Sequence, residues 1–198
     1  MRKIITQEEK GKKIKRNQLI LGIVLIGLMV LSSLSFAFIN NTTSNINEKI
    51  EYKGIKFVTD ENGYWNFNIQ GTNFLTKYNP KETEDISFLN YKSINEYSNK
   101  PLYLTGENGE HFSEIARNLN NVALRINNAC LEGDSECTKN NENFPIKKCS
   151  SDNIIVVKDA VDDIEKIYNE ENCIFIETNY ANQSRYADRF LFSILGIQ

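Results

Sequence analysis

Residues 19–39, LILGIVLIGLMVLSSLSFAFI, carry no charge, and their only polar side chains are Ser32, Ser33 and Ser35. At about 1.5 Å of rise per residue, such a run reaches roughly 30 Å, the thickness of a bilayer's hydrocarbon core. Lipid offers no partner to an open backbone, so the expected conformation is a single transmembrane helix. Of the chain's 23 basic and 26 acidic side chains, seven basic and two acidic ones fall before residue 40, all of them ahead of the run. That leaves +5 on the first 39 residues and −8 on the rest. After the run, no charge appears until Glu48. The positive-inside rule then makes residues 1–18 a cytoplasmic basic head at the cell membrane and places the C-terminal part outside.

Three other uses of the same run are weaker. Ser35-Phe36-Ala37 offers small residues for cleavage of a secretory leader after Ala37, but the head and the apolar run are both long for a leader. Gly22 and Gly27 stand five apart rather than the four of a close-packing helix motif. A pilin-like structural subunit would bundle this helix into a filament, yet no convincing processing site precedes it.

Beyond the run, residues 40–49 read as a polar tether and 50–198 as an extracytoplasmic domain. Asn40, Asn41 and Asn182 each begin an Asn-x-Ser/Thr glycosylation pattern, which is frequent by chance in a chain rich in Asn. The domain opens as an antiparallel meander. Residues 50–58 alternate around Gly54, where the slip suggests a bulge. Asp60-Glu61-Asn62-Gly63 marks a turn, and Trp65, Phe67 and Ile69 fall on one face of the next strand. Gly71-Thr72-Asn73 turns into a third strand over 74–78. The aromatic residues of this stretch could serve as a ligand platform, but sheet core is the ordinary use.

A short helix is expected over 82–96, a strand from Pro101, and an amphipathic helix over 110–128 built on Phe112, Ile115, Leu119, Ala123 and Ile126. Residues 131–143 read as a polar loop. Ile154 to Val157 is an unbroken β-branched run, the pattern of a strand covered on both faces. A helix over 161–168, a buried strand over 173–176 and a final helix over 183–196 complete the chain. Strands come first and then mix with helices, so the expected class is α+β.

All four cysteines (Cys130, Cys137, Cys149 and Cys173) fall in the exported part, where an even count favours two disulfides. The preferred pairs are Cys130–Cys137, closing a short polar loop, and Cys149–Cys173. The second pair requires the strands at 154 and 173 to run parallel, so that their starts share one end of the sheet. The gaps suit neither a zinc site nor a C-x-x-C redox pair.

No P-loop, dinucleotide fingerprint or G-x-S-x-G turn occurs, so neither a cofactor nor a catalytic residue is expected. His111 reads as an exposed residue at a helix start. The acidic groups at 82–85, 132–136 and 159–165 read as solvated faces rather than metal ligands. A domain at −8 argues against nucleic acid as the partner. Together these features suggest a binding or scaffolding module that meets the bilayer through residues 19–39 and another envelope protein through its domain. The rival is an exported hydrolase, which needs a pocket holding carboxylates of shifted pKa.

Overall fold

The computed structural model describes residues 16–32, 48–89, 92–106 and 109–198. The chain divides into two units, Met1–Ile46 and Asn47–Gln198. The first holds helix α1 over 16–32. No helix among the described residues is long and apolar enough to cross a membrane. The expected span over 19–39 is thus represented only by its beginning, since 33–39 lie outside the described residues, as do most of the tether and both Asn40 and Asn41.

The second unit is α+β. Its meander runs β1 (Lys49–Tyr52), β2 (Ile55–Thr59), β3 (Trp65–Ile69) and β4 (Thr72–Thr76), each antiparallel to the next. Lys53 and Gly54 both take positive φ, 48° and 78°, as do Gln70 and Gly71 at 50° and 87°. Positive φ at both central residues is the geometry of the tight hairpin turn whose twist matches its strands. Gly54 therefore makes a hairpin turn and not the expected bulge. Between β2 and β3, the Asp60 carboxylate accepts the backbone N–H groups of Asn62 and Tyr64 at 2.9 and 2.8 Å. Trp65 and Phe67 point inward while Asn66 and Asn68 face solvent. With Phe57 and Phe74 they form an aromatic core closed by Phe192.

The remaining elements are β5 (Pro101–Gly106), α2 (Glu110–Leu119), β6 (Arg125–Asn128), β7 (Cys130–Leu131), α3 (Ser135–Asn140), β8 (Ile146–Lys147), β9 (Asn153–Lys158), β10 (Lys166–Glu170), β11 (Cys173–Glu177) and α4 (Gln183–Ile194). Five of them form a sheet in the order β10-β11-β9-β5-β6, parallel except for the β10–β11 pair. The unbroken apolar run in β9 serves both faces. Ile155 and Val157 join the larger core with Phe112, Ile115, Phe190 and Leu191 of α2 and α4. Ile154 and Val156 face the other way, toward Tyr103, Phe175 and the disulfide-bridged loops. Burying Ile154 and Ile155 completely is worth about 1.5–3 kcal/mol each.

Three expected helices differ. Among the described residues, the stretch expected as a helix over 82–96 holds single turns of 3-10 helix instead, Pro80–Thr83 at its start and Ile94–Glu96 at its end. The amphipathic helix stops at Leu119, and Arg125–Asn128 instead pairs with β5, setting Ile126 opposite Leu102. A free β5 edge outbids the helical spacing of Ala123 and Ile126, because every backbone group there needs a partner. Over 161–168, Asp162 and Asp163 take φ of 54° and 57° in a hairpin tip closed by a Val161–Ile164 bridge, and the chain then enters β10. The expected polar loop over 131–143 contains α3, capped by the Asp134 carboxylate on the Cys137 N–H. The final helix ends as its sequence suggests, with Gly196 at φ 72° just beyond it.

Candidate functional site

The four cysteines form two bridges, Cys130–Cys137 and Cys149–Cys173, with Cα separations of 5.6 and 5.0 Å. The second follows from register. β9 and β11 are parallel with Ile154 opposite Cys173, which puts the residues just ahead of both strands at one end of the sheet. The connection between them is the β10 hairpin rather than the expected helix.

At the opposite end, beyond the carboxyl ends of β5 and β9, lies an open cleft of about 330 Å³. In sheets with parallel strands, such a crevice forms where successive connections leave toward opposite faces. Here β5 passes to α2, which lies on the helical face, while β6 passes to the bridged loops on the other. Gly106, at the end of β5, forms part of the cleft wall with φ of 120°. A Cβ at this position would lie 1.8 Å from the carbonyl oxygen of Val157. Only glycine lets the two strands approach so closely while taking that conformation. From α3 and its cap come Asp134, Glu136 and Asn140, from the end of β9 come Lys158 and Asp159, and from the first turn of α4 comes Gln183. Lys158 is already matched, its ammonium lying 2.9 Å from the Glu177 carboxylate. Burial disfavours ionising Glu177, but bonds from Lys158, the Tyr168 hydroxyl and Lys166 outweigh it and hold the carboxyl down at about 2.

Two further carboxyl groups lie in the core. Glu114 of α2 and Asp188 of α4 are fully buried and meet at the end of β4. Glu114 accepts the Lys77 N–H at 2.6 Å, and Asp188 accepts the N–H groups of Lys77 and Tyr78 at 3.0 and 2.8 Å. One turn along α2, Asn118 accepts from the Leu75 N–H and donates to its carbonyl. These side chains complete the edge of β4 that β3 does not reach. Oε2 of Glu114 and Oδ1 of Asp188 receive no donor from the described residues. A proton shared between the two carboxyls satisfies both. Burial pushes Glu114 up to about 7, and burial together with the Glu114 charge pushes Asp188 well up. Neither residue lines the cleft. The pair welds the meander to the helices, and the pocket of shifted carboxylates that a hydrolase needs is not formed by it.

Other expected residues are placed as follows. His111 is 2% exposed, packed edge-on to Phe112, and is not the exposed residue its position suggested. It sits beneath Gly109, whose absent Cβ would clash with its ring. Of the aromatic set, Phe57, Trp65, Phe67 and Phe74 are core, while the Tyr64 hydroxyl donates to Glu110 at 2.8 Å. The Asn182 amide nitrogen donates to both Glu165 oxygens at 3.0 Å. Of the acidic groups, Glu82 sits in a capping box, Asp85 lies against Arg185 and Asp134 caps α3, while Glu136, Asp159, Asp162 and Asp163 are exposed. No cluster of three metal-ligating side chains occurs among the described residues. Glu114, Asp188 and Gln183 went unread in the sequence. The signal available for the first two was an acidic residue on the apolar face of an amphipathic helix, beside Phe112 and Ile115 in one case and Ala187 and Leu191 in the other.

Fold and cleft together define a disulfide-stapled α+β domain with a polar crevice at the carboxyl ends of its parallel strands. No family model, curated protein or solved structure matches the chain.

Proposed function

We propose that the protein is a single-pass membrane protein whose extracytoplasmic domain, residues 50–198, binds or scaffolds another component of the cell envelope. In this reading, residues 1–18 are cytoplasmic, 19–39 form the anchor and 40–49 the tether. The observation that carries it is the pair of bridges using all four cysteines, in a domain that follows a charge-free apolar run. Bridges persist in oxidising compartments, outside the cytoplasm. The start of the run supports an anchor too, since Leu19, Ile23 and Met29 of α1 each expose more than half of their surface. Apolar surface so displayed calls for a cover, and hydrocarbon provides one. A binding role fits the open cleft better than hydrolysis does, because the carboxyl groups of raised pKa lie in the core instead. Protease added to intact cells tests the placement, with the domain digested and the basic head protected as the expected result. Protection of the domain with the head accessible refutes it, and a mature chain beginning at Phe38 refutes the retained anchor.

A further inference from the structure

The carboxyl-end face of the five-stranded sheet combines an acidic cleft, an unmatched buried amide and an exposed apolar tip. The cleft wall carries Asp134, Glu136 and Asp159, all exposed, while its one cation, Lys158, is spent on Glu177. Gln183 also lines it, only 3% exposed, and its side-chain amide makes no hydrogen bond with the described residues. Two residues beyond Asp159, the chain rises into the hairpin tip, where Val161 and Ile164 are 65% and 62% exposed on either side of Asp162 and Asp163. Glu165 ties this tip to the turn before α4. It accepts from the Thr178 hydroxyl at 2.6 Å, the Asn179 N–H at 2.8 Å and the Asn182 amide. That turn presents Tyr180, 73% exposed. Glu165 is kept ionised because these donors outweigh its burial.

We infer that this face docks a polypeptide segment of an envelope partner, seating a Lys or Arg side chain in the cleft and neighbouring apolar side chains on Val161, Ile164 and Tyr180. The inference deepens the binding reading and rests on it. Charge selects the occupant: five exposed carboxylates (Asp134, Glu136, Asp159, Asp162 and Asp163) surround the face, and a cation entering there gains charge-assisted hydrogen bonds. The apolar tip selects a polypeptide over a small amine or polyamine, which would leave Val161 and Ile164 in water. Gln183 adds a polar contact for the segment's backbone at the base of the cleft.

The full chain in nanodiscs, titrated with a fluorescent peptide of alternating Lys and Leu and corrected against empty discs, tests the site. Binding is expected to weaken with salt, as screening requires. Glu136→Gln with Asp159→Asn should weaken it about tenfold, and Val161→Ser with Ile164→Ser by a similar factor, each about 1.4 kcal/mol. Near-ultraviolet circular dichroism should show both variants folded as the parent is. Equal binding of a Glu–Leu peptide, or undiminished binding by the variants, overturns the site. Spermidine competing as well as the peptide does overturns the polypeptide assignment. Surface cross-linking in cells separates the two levels: a partner captured equally by parent and variants removes this site while the binding role stands, and a parent that captures nothing removes the role itself.

Discussion

Replacing Glu114 by Gln should make the domain more stable at neutral pH, against the usual result for a fully buried residue. Two buried carboxyls hold the end of β4, and the folded state keeps them together only by retaining a proton. Burial raises Glu114 to about 7 from an ordinary 4.5. A carboxyl whose pKa is raised on folding binds its proton more tightly in the native state. Its contribution is therefore complete below about pH 4.5 and is lost as pH climbs through about 7. At about 1.4 kcal/mol per pKa unit, the loss has an upper value of about 3.5 kcal/mol and comes nearer about 3 kcal/mol because Asp188 shares the same proton. Gln keeps an oxygen for the Lys77 N–H and offers an N–H₂ group toward Asp188, with no charge to bury. The stability difference between E114Q and the parent should thus grow by up to about 3 kcal/mol between about pH 4 and about pH 8, in favour of the variant. Urea unfolding followed through Trp65, the single tryptophan and 4% exposed, reports it. Taking the difference between variant and parent cancels the opposite, acid-side dependence that Glu177 contributes. A difference that stays constant across this range, or one that moves against the variant as pH rises, refutes the shared-proton account.

Substituting both Cys149 and Cys173 by Ser frees a loop of 24 residues' separation and should cost about 3.5 kcal/mol, read as a lower urea midpoint with unchanged core spectra. The shorter Cys130–Cys137 loop should cost less, about 2.5 kcal/mol; equal losses would refute the chain-entropy basis. Gly106→Ala forces a Cβ against the Val157 carbonyl at a φ of 120° and should destabilise by more than about 3 kcal/mol, whereas Gly133→Ala, at φ 88° with open space around it, should cost about 1 kcal/mol. Similar costs at both sites would show that the strands part easily at the cleft.

Elements whose signal is local were legible in the sequence. The β3 alternation, the turn at Asp60, the two-faced run of β9 and the stop at Gly196 each depend on a few neighbouring residues and a single period. The cysteine pairing was legible because the even count and the loop lengths narrow it and because the strands at 154 and 173 run parallel, as the second pair requires. The helix expected through Ile126 and the one over 161–168 failed for a shared reason. Spacings of three and four residues also arise in strands, and the edge available for pairing decides between the two uses. That edge is β5 in one case, more than twenty residues upstream of its partner, and β11 in the other, just past a two-residue turn but itself held in place by the parallel β9.

The separation of a basic, apolar beginning from an acidic, cysteine-bearing domain is a property of residue order, because hydropathy and charge accumulate along the chain whatever its fold. Long-range contact decided the rest. Glu114 and Asp188 stand 74 positions apart and meet only because α2 and α4 cover one sheet face, and the cleft exists only because the ends of β5 and β9, the helix α3 and the start of α4 come to the same place. Desolvation and proximity are created by packing, so the charges that matter in this domain acquire their character only once the strands and helices have been brought together.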